Sequence, residues 1–180
     1  MSKFTTAFLF VIGILSSYSN CYSQDDSEFS PVSMQSGQTP ACCQFRQLSD
    51  SKLDNFLKVN VGGDADVVLK LISQSTDECI RYVYISKDDT YLIRNIPAGV
   101  YYVKIAFGNN WAESKQQEGC IAKFLENNVY QIGNDLLDFN PVENYEGVQI
   151  PSYELILKTY SNNRLNEFNA EDISEEEFNK

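Results

Sequence analysis

The chain has 180 residues, with 14 Lys or Arg against 25 Asp or Glu, a net charge of −11 and no histidine. A field of that sign repels phosphate backbones and anionic membrane surfaces, so nucleic acid is not an expected partner. Without histidine there is no Ser-His-Asp triad, no Cys-His dyad and no His-ligated metal site.

Residues 1–23 read as a secretory signal peptide: Lys3, an apolar run from Phe8 to Leu15, and Cys21-Tyr22-Ser23 before Gln24. The run is shorter than the roughly 20 residues a bilayer requires. No second helical pattern offers it a partner as a buried helix. Cleavage after Ser23 is the expectation. The alternative is a lipid on Cys21, with Asp25-Asp26 beginning a solvated tether, although Tyr18-Ser19-Asn20 is a poor lipoprotein box. Both make the chain an exported one, periplasmic, secreted or anchored at the outer membrane, and the membrane enters only through that lipid. Removing residues 1–23, which hold one basic residue and no acid, leaves 157 residues at a charge of −12. That is one domain's length, able to bury about two thirds of its unfolded surface.

Four cysteines remain after cleavage: Cys42, Cys43, Cys79 and Cys120. An even number in an oxidising compartment predicts a disulfide. Adjacent Cys42 and Cys43 reach each other only with strain, so one of them is expected to join Cys79 or Cys120. Free buried thiols are the alternative.

Residues 24–52 are poor in large apolar side chains and rich in Ser, Gln, Gly and Pro, the composition of a flexible tether, with Ala41 to Ser49 as a candidate edge strand. From 53 to 166 the rhythm is that of strands. Asn55 to Val61 alternates, Gly62-Gly63-Asp64 turns, and Val67 to Ile72 is nearly all apolar, as a strand covered on both sides would be. Cys79 to Ile85 is rich in β-branched and aromatic residues, and a strand from Thr90 follows. After Asn95-Ile96-Pro97-Ala98-Gly99, the side chains of Tyr101, Val103, Ile105 and Phe107 point one way, and those of Tyr102, Lys104 and Ala106 the other. Glu113 to Gly119 reads as a polar loop, Cys120 to Phe124 and Val129 to Ile132 as short strands, Asn134 to Tyr145 as turn-rich, and Pro151 to Tyr160 as a strand. Strands at this spacing predict an all-β fold, a single antiparallel sandwich. Residues 167–180 hold six acids and one base, a solvated acidic tail in which Ser174 and Glu177 match a capping box for one helical turn.

The segment LIRNIPAGVYYVKI resembles transthyretin-like, carboxypeptidase-regulatory-like β-sandwich domains, through Asn95, Ile96, Pro97, Gly99, Tyr101, Val103 and Ile105. More narrowly, Val67 through Trp111, with Ile80-Arg81 and Gly108-Asn109-Asn110-Trp111, is similar to a group of small exported bacterial proteins of unknown function. Their chains close on a segment like Ile173 to Asn179, ISEEEFN. The resemblance implies a prealbumin-like sandwich and an envelope location, and no active site.

No phosphate loop and no C-x-x-C pair is present, so no cofactor is expected. Carboxylates in the turn-rich loop, Asp135, Asp138, Glu143 and Glu146, are the candidates for a hydrolase, and Asp64 with Asp66 or Asp135 with Asp138 for calcium, without the ordered spacing of a dedicated site. The reading that fits best is a non-catalytic module binding protein or glycan. Its candidate surface is an aromatic platform of Tyr82, Tyr84 and Tyr102 on one sheet face with Trp111 at the rim. The alternative is that the 120–145 segment covers this face and makes the tyrosines core.

Overall fold

Alternating side chains set most of the strands where the sequence places them. The structure, a computed structural model, describes residues 29–41, 45–114, 121–145, 147–160, 163–166 and 169–180. The strands are β1 (Phe29–Pro31), β2 (Phe56–Gly63), β3 (Asp66–Ser73), β4 (Cys79–Ile85), β5 (Thr90–Arg94), β6 (Val100–Ser114) and β7 (Ala122–Gly133). Then follow β8 (Leu137–Asp138), β9 (Val142–Asn144), β10 (Gly147–Gln149), β11 (Tyr153–Tyr160), β12 (Asn163–Asn166) and β13 (Ala170–Ile173). One short helix, α1 (Glu175–Asn179), closes the chain.

Seven strands form the large sheet: β13-β7-β6-β3-β4 in order, with β1 and β8 each paired to β6. Four form the small one, β12-β11-β2-β5, and β9 with β10 makes a separate hairpin. The two main sheets share one apolar core. Leu57, Val59, Ile93, Leu155 and Leu157 of the small sheet meet Val67, Leu69, Leu71, Val83, Tyr101, Val103, Ile105 and Phe107 of the large one. The residues predicted for the buried side of β6 are all in this core. The architecture is all-β and mostly antiparallel, compatible with a β-sandwich. One pairing departs from the antiparallel expectation: β2 and β11 run parallel, from Tyr153 opposite Leu57 to Thr159 opposite Gly63.

Three further features go beyond the sequence reading or correct it. The register of β6 against β7 slips between Phe107 and Asn109. Between the pairs Phe107–Val129 and Asn109–Glu126 β6 advances two residues and β7 three, so the extra residue lies in β7. Phe107 lies in the core between the sheets and Trp111 in the cluster on the opposite face, the side on which the sequence reading places it with Tyr82 and Tyr84. Gly108 at the slip sits so close to Phe124 that a Cβ there would collide with it. Secondly, the two short strands expected between Cys120 and Ile132 are one long strand, β7, whose exposed middle, Glu126 to Asn128, interrupts the apolar pattern. Thirdly, neither end of the described chain is a solvated tail. β1 pairs with Ala112 to Ser114 of β6, and residues 37 and 38 hydrogen-bond to Tyr84 along the edge of β4. At the other end β13 pairs with β7, and Phe178 is 1 % exposed. The predicted edge strand near 41–49 is not formed among its described residues.

Candidate functional site

Two places concentrate buried polar chemistry: the turn before β6, and the face of the large sheet turned away from the small one.

At the turn, Asn95 takes a positive φ of 55° and Gly99 one of 155°, conformations that Asn and Gly reach at least cost. The side chain of Asn55, 1 % exposed, accepts from the Ile96 N–H at 2.8 Å and donates to the Ile96 carbonyl at 2.9 Å. Arg81 crosses from β4 and donates to the carbonyls of Arg94 and Asn95 at 3.2 and 3.1 Å, and to its own neighbour Ile80 at 2.9 Å. The Tyr101 hydroxyl donates to the Pro97 carbonyl at 3.0 Å. Every one of these polar atoms ends on backbone. The arrangement fixes a turn and presents no group to a substrate. Sequence reading marked the turn and the neighbouring Arg81, but gave Asn55 no role beyond a strand start.

The other face carries the predicted platform residues. Tyr82, Tyr84 and Trp111 lie there in a second cluster with Val68, Ala106, Phe124, Tyr130 and Phe178. Tyr102, next to Lys104 on β6, alternates onto the same side, and its hydroxyl donates to Asp77 at 3.3 Å. The tyrosines are not an exposed platform, however: Tyr82 and Tyr84 are each 5 % exposed and Trp111 3 %, with Tyr102 half-buried. Their cover is not the 120–145 segment either. Val32, Met34 and Phe45 from the N-terminal side and Ile173 and Phe178 from the C-terminal side pack over them. Trp111 and Phe124 meet edge to face at 5.0 Å between centroids, Phe45 stands perpendicular to Tyr82 at 6.2 Å, and Phe178 lies 5.3 Å from Tyr130. Lys123 sits over the Phe29 ring at 4.5 Å, a cation–π contact on the strand that begins the cover.

Beneath the C-terminal cover are two lysines that are direct cross-strand neighbours, Lys70 of β3 and Lys104 of β6. The Lys70 Nζ donates to the Phe178 carbonyl and the Lys104 Nζ to the Glu177 carbonyl, each at 2.7 Å. Lys70 also lies 4.4 Å from the Phe178 ring centroid and 5.0 Å from that of Tyr82. Burial lowers the Lys70 amine to about 8, with the Cys79 thiol opposing and Lys104 adding to the shift. Burial likewise pushes the Cys79 thiol up to about 11. Alternation puts Lys104 on the side opposite Tyr101, and Lys70 falls inside the nearly all-apolar run from Val67 to Ile72. A pair of lysines on facing strands is visible only once the register is known.

The remaining candidates do not converge. Cys79 is a free thiol that donates to the Arg81 carbonyl at 3.0 Å, so the disulfide expected of it is not formed. Its proposed partners Cys42, Cys43 and Cys120 lie outside the described residues, as do Cys21, the rest of residues 1–23 and Glu146. Asp66 accepts from the Lys87 N–H, Asp135 from the Asn169 N–H, and Asp138 from the backbone and side chain of Asn140. Asp64 and Glu143 are exposed. Among the described residues no three His, Cys, Asp or Glu side chains are grouped to hold a metal ion, and no helix is long and apolar enough to cross a membrane. Comparison with family models, with curated proteins and with solved structures finds no match.

Proposed function

We propose that the chain is an exported, non-catalytic module of the bacterial envelope with a prealbumin-like sandwich fold, serving a binding or accessory role toward protein or glycan. The observation that carries the reading is where the buried polar side chains end. Asn55, Arg81, Lys70 and Lys104 terminate on main-chain atoms of the chain itself and Gln131 on the Asp172 side chain of β13, so these polar groups build turns and covers. An enzyme of loop carboxylates instead requires two acids aimed at one point. Asp138 serves a local turn at Asn140, and Asp135 holds the Asn169 N–H across the chain. The sandwich reading is supported by two sheets sharing one core and by the Asn95 to Gly99 turn. Export is supported by the order of Lys3, the apolar run and the small residues before Gln24.

With the aromatic platform covered, the apolar side chains left for a partner are elsewhere. The β9–β10 hairpin exposes Val142, Val148 at 62 % and Tyr145 at 96 %, with Leu136 nearby in sequence. The test has two parts. Mass measurement of the chain recovered from the producing cell should show a start at Gln24. An acylated Cys21 would replace this with the lipid-anchored reading, and retention of residues 1–23 would overturn export. Pull-down of envelope proteins and glycans should then recover a partner lost with Tyr145→Ser plus Val148→Ser. Turnover of a glycoside or ester, abolished by Asp138→Asn, would put a hydrolase in its place.

A further inference from the structure

The Asn95 to Gly99 turn presents no group to a substrate, yet it holds the root of another element. The Phe139 N–H donates to the Gly99 carbonyl at 2.8 Å. The Phe139 ring is fully buried against Tyr101 and Tyr153, at 6.0 and 5.0 Å between centroids. The Tyr153 hydroxyl donates to the Asp138 carbonyl at 2.9 Å and accepts from the Asp138 N–H at 3.2 Å. The Asp138 side chain in turn accepts from the backbone and side chain of Asn140, at 2.9 and 2.7 Å. These contacts pin the chain on both sides of the β9–β10 hairpin. The hairpin is an arm mounted on the core by the residues just before it and just after it.

The arm itself adds nothing to the core. All six residues of β9 and β10 are exposed, and among the described residues the two strands pair only with each other. A two-stranded hairpin alone in water is marginally stable, and an open strand edge is a template for another strand. The charge around the arm has one sign: residues 134–152 hold four acids, Asp135, Asp138, Glu143 and Glu146, and no Lys or Arg. Tyr145, almost fully exposed, stands at the tip two residues after Glu143. An aromatic ring beside a carboxylate attracts a guanidinium through both cation–π and ion-pair contacts. These features choose among occupants. A second copy of this chain carries a net charge of −11 and is repelled. A glycan has no backbone amides to complete a ladder and no positive charge to answer the acids. An extended peptide segment rich in Arg or Lys has both.

We propose that the β9–β10 hairpin is a docking arm for a basic, extended segment of a partner protein, which adds to its open edge as a third strand and sets cationic side chains against Tyr145 and Glu143. The inference rests on the binding role proposed above and gives that role its partner chemistry. Main-chain ladder bonds supply the attachment, Val142 and Val148 pack against apolar side chains of the added strand, and the acids select for positive charge.

The test uses the full chain and three fluorescent peptides of equal length: alternating arginine and valine, the same peptide N-methylated at every residue, and alternating glutamate and valine. Fluorescence anisotropy should find the arginine peptide bound and the glutamate peptide unbound. N-methylation keeps the charge but removes the ladder donors, and should abolish binding. Tyr145→Ser and Glu143→Lys should each weaken binding at least about tenfold, as for an anchor residue. Glu78→Lys makes the same charge change in the turn before β4 and should leave binding unchanged. All three positions are exposed, so unfolding midpoints should match that of the unaltered chain. Absence of binding overturns the proposal. So does binding that survives N-methylation, or that Glu143→Lys and Glu78→Lys weaken alike. The binding role fails separately. A glycan or an acidic protein recovered by pull-down and lost with Tyr145→Ser plus Val148→Ser overturns the basic-segment docking while that role stands.

Discussion

Along β3 and β6 the large sheet turns Leu69 and Ile105 to one side and, one residue further, Lys70 and Lys104 to the other. The first side is closed by a second sheet, and its residues are aliphatic with Phe107, Phe139 and Tyr101 among them. The second is closed by residues from the two ends of the described chain, and its residues are chiefly aromatic or cationic. Sheet-on-sheet burial is made by strands that are each hydrogen-bonded into a ladder, so it opens only with the domain. Burial by terminal segments can open locally, because each segment contributes one strand or one turn and a few side chains. The difference teaches that the same sheet carries a core on one side and a covered surface on the other.

Substitution at the two sides should separate them. Leu69→Ala, at a fully buried position between the sheets, should cost about 2–5 kcal/mol and lower the urea midpoint of the whole domain. Phe178→Ala removes a larger side chain that is just as buried. The penalty there is limited to the docking energy of one segment. Hydrogen exchange should show the amides of β13 and α1 opening freely while those of β3 keep their protection. Equal global loss in both variants would erase the distinction between core and cover.

The turn belongs to the core side, and Asn55→Ala tests that. It leaves the Ile96 N–H and carbonyl buried without their partners, at about 1–3 kcal/mol for each stranded group. The loss should appear in the global midpoint, with the amides of β13 unaffected beyond it. On the cover side Ser174→Ala removes the cap of a five-residue helix, an effect of about 1 kcal/mol that should be confined to exchange within α1.

The core side was legible in the sequence because alternation reports it directly. Tyr101, Val103, Ile105 and Phe107 fall where their period puts them, and β4 has the bounds its composition predicts. The cover side was not. Trp111 shares the face of Tyr82 and Tyr84 as expected, although strict alternation from Phe107 would put it on the core side, and it lies buried there and not at a rim. Phe29, Val32, Met34 and Phe178 are isolated apolar residues in polar company, and a pattern read over a window discounts each of them. Ser174 and Glu177 announced the cap, and the cap forms, but nothing local said that the turn behind it would carry a buried phenylalanine. The lysine pair needed the register of two strands 34 positions apart in sequence, as Lys70 and Lys104 show. The parallel pairing of β11 with β2 is likewise a non-local choice that neither strand's own residues dictate.

The smallest effect, and the one that reads the cover side alone, is in the pH dependence. Lys70 sits at about 8 in the folded chain against 10.5 for a solvated lysine. Between those values the unfolded chain holds a proton that the folded chain has shed, so stability rises with pH through the window. Cys79 faces Lys70 and acts in the opposite sense. Raised from 9.0 to about 11, it keeps a proton in the folded chain that the unfolded chain loses, so stability falls as pH climbs from 9 toward 11. Tyr82, Tyr84 and Tyr130 are also raised by burial, and their losses begin only at the ordinary tyrosine value of 10. Urea midpoints should therefore climb between pH 8 and 9 and level off above it. Lys70→Met should flatten the climb, and Cys79→Ser should extend it toward 10. A wild-type midpoint that does not move between pH 8 and 9 would mean that the Lys70 amine is solvated, and hence that the C-terminal segment does not cover it.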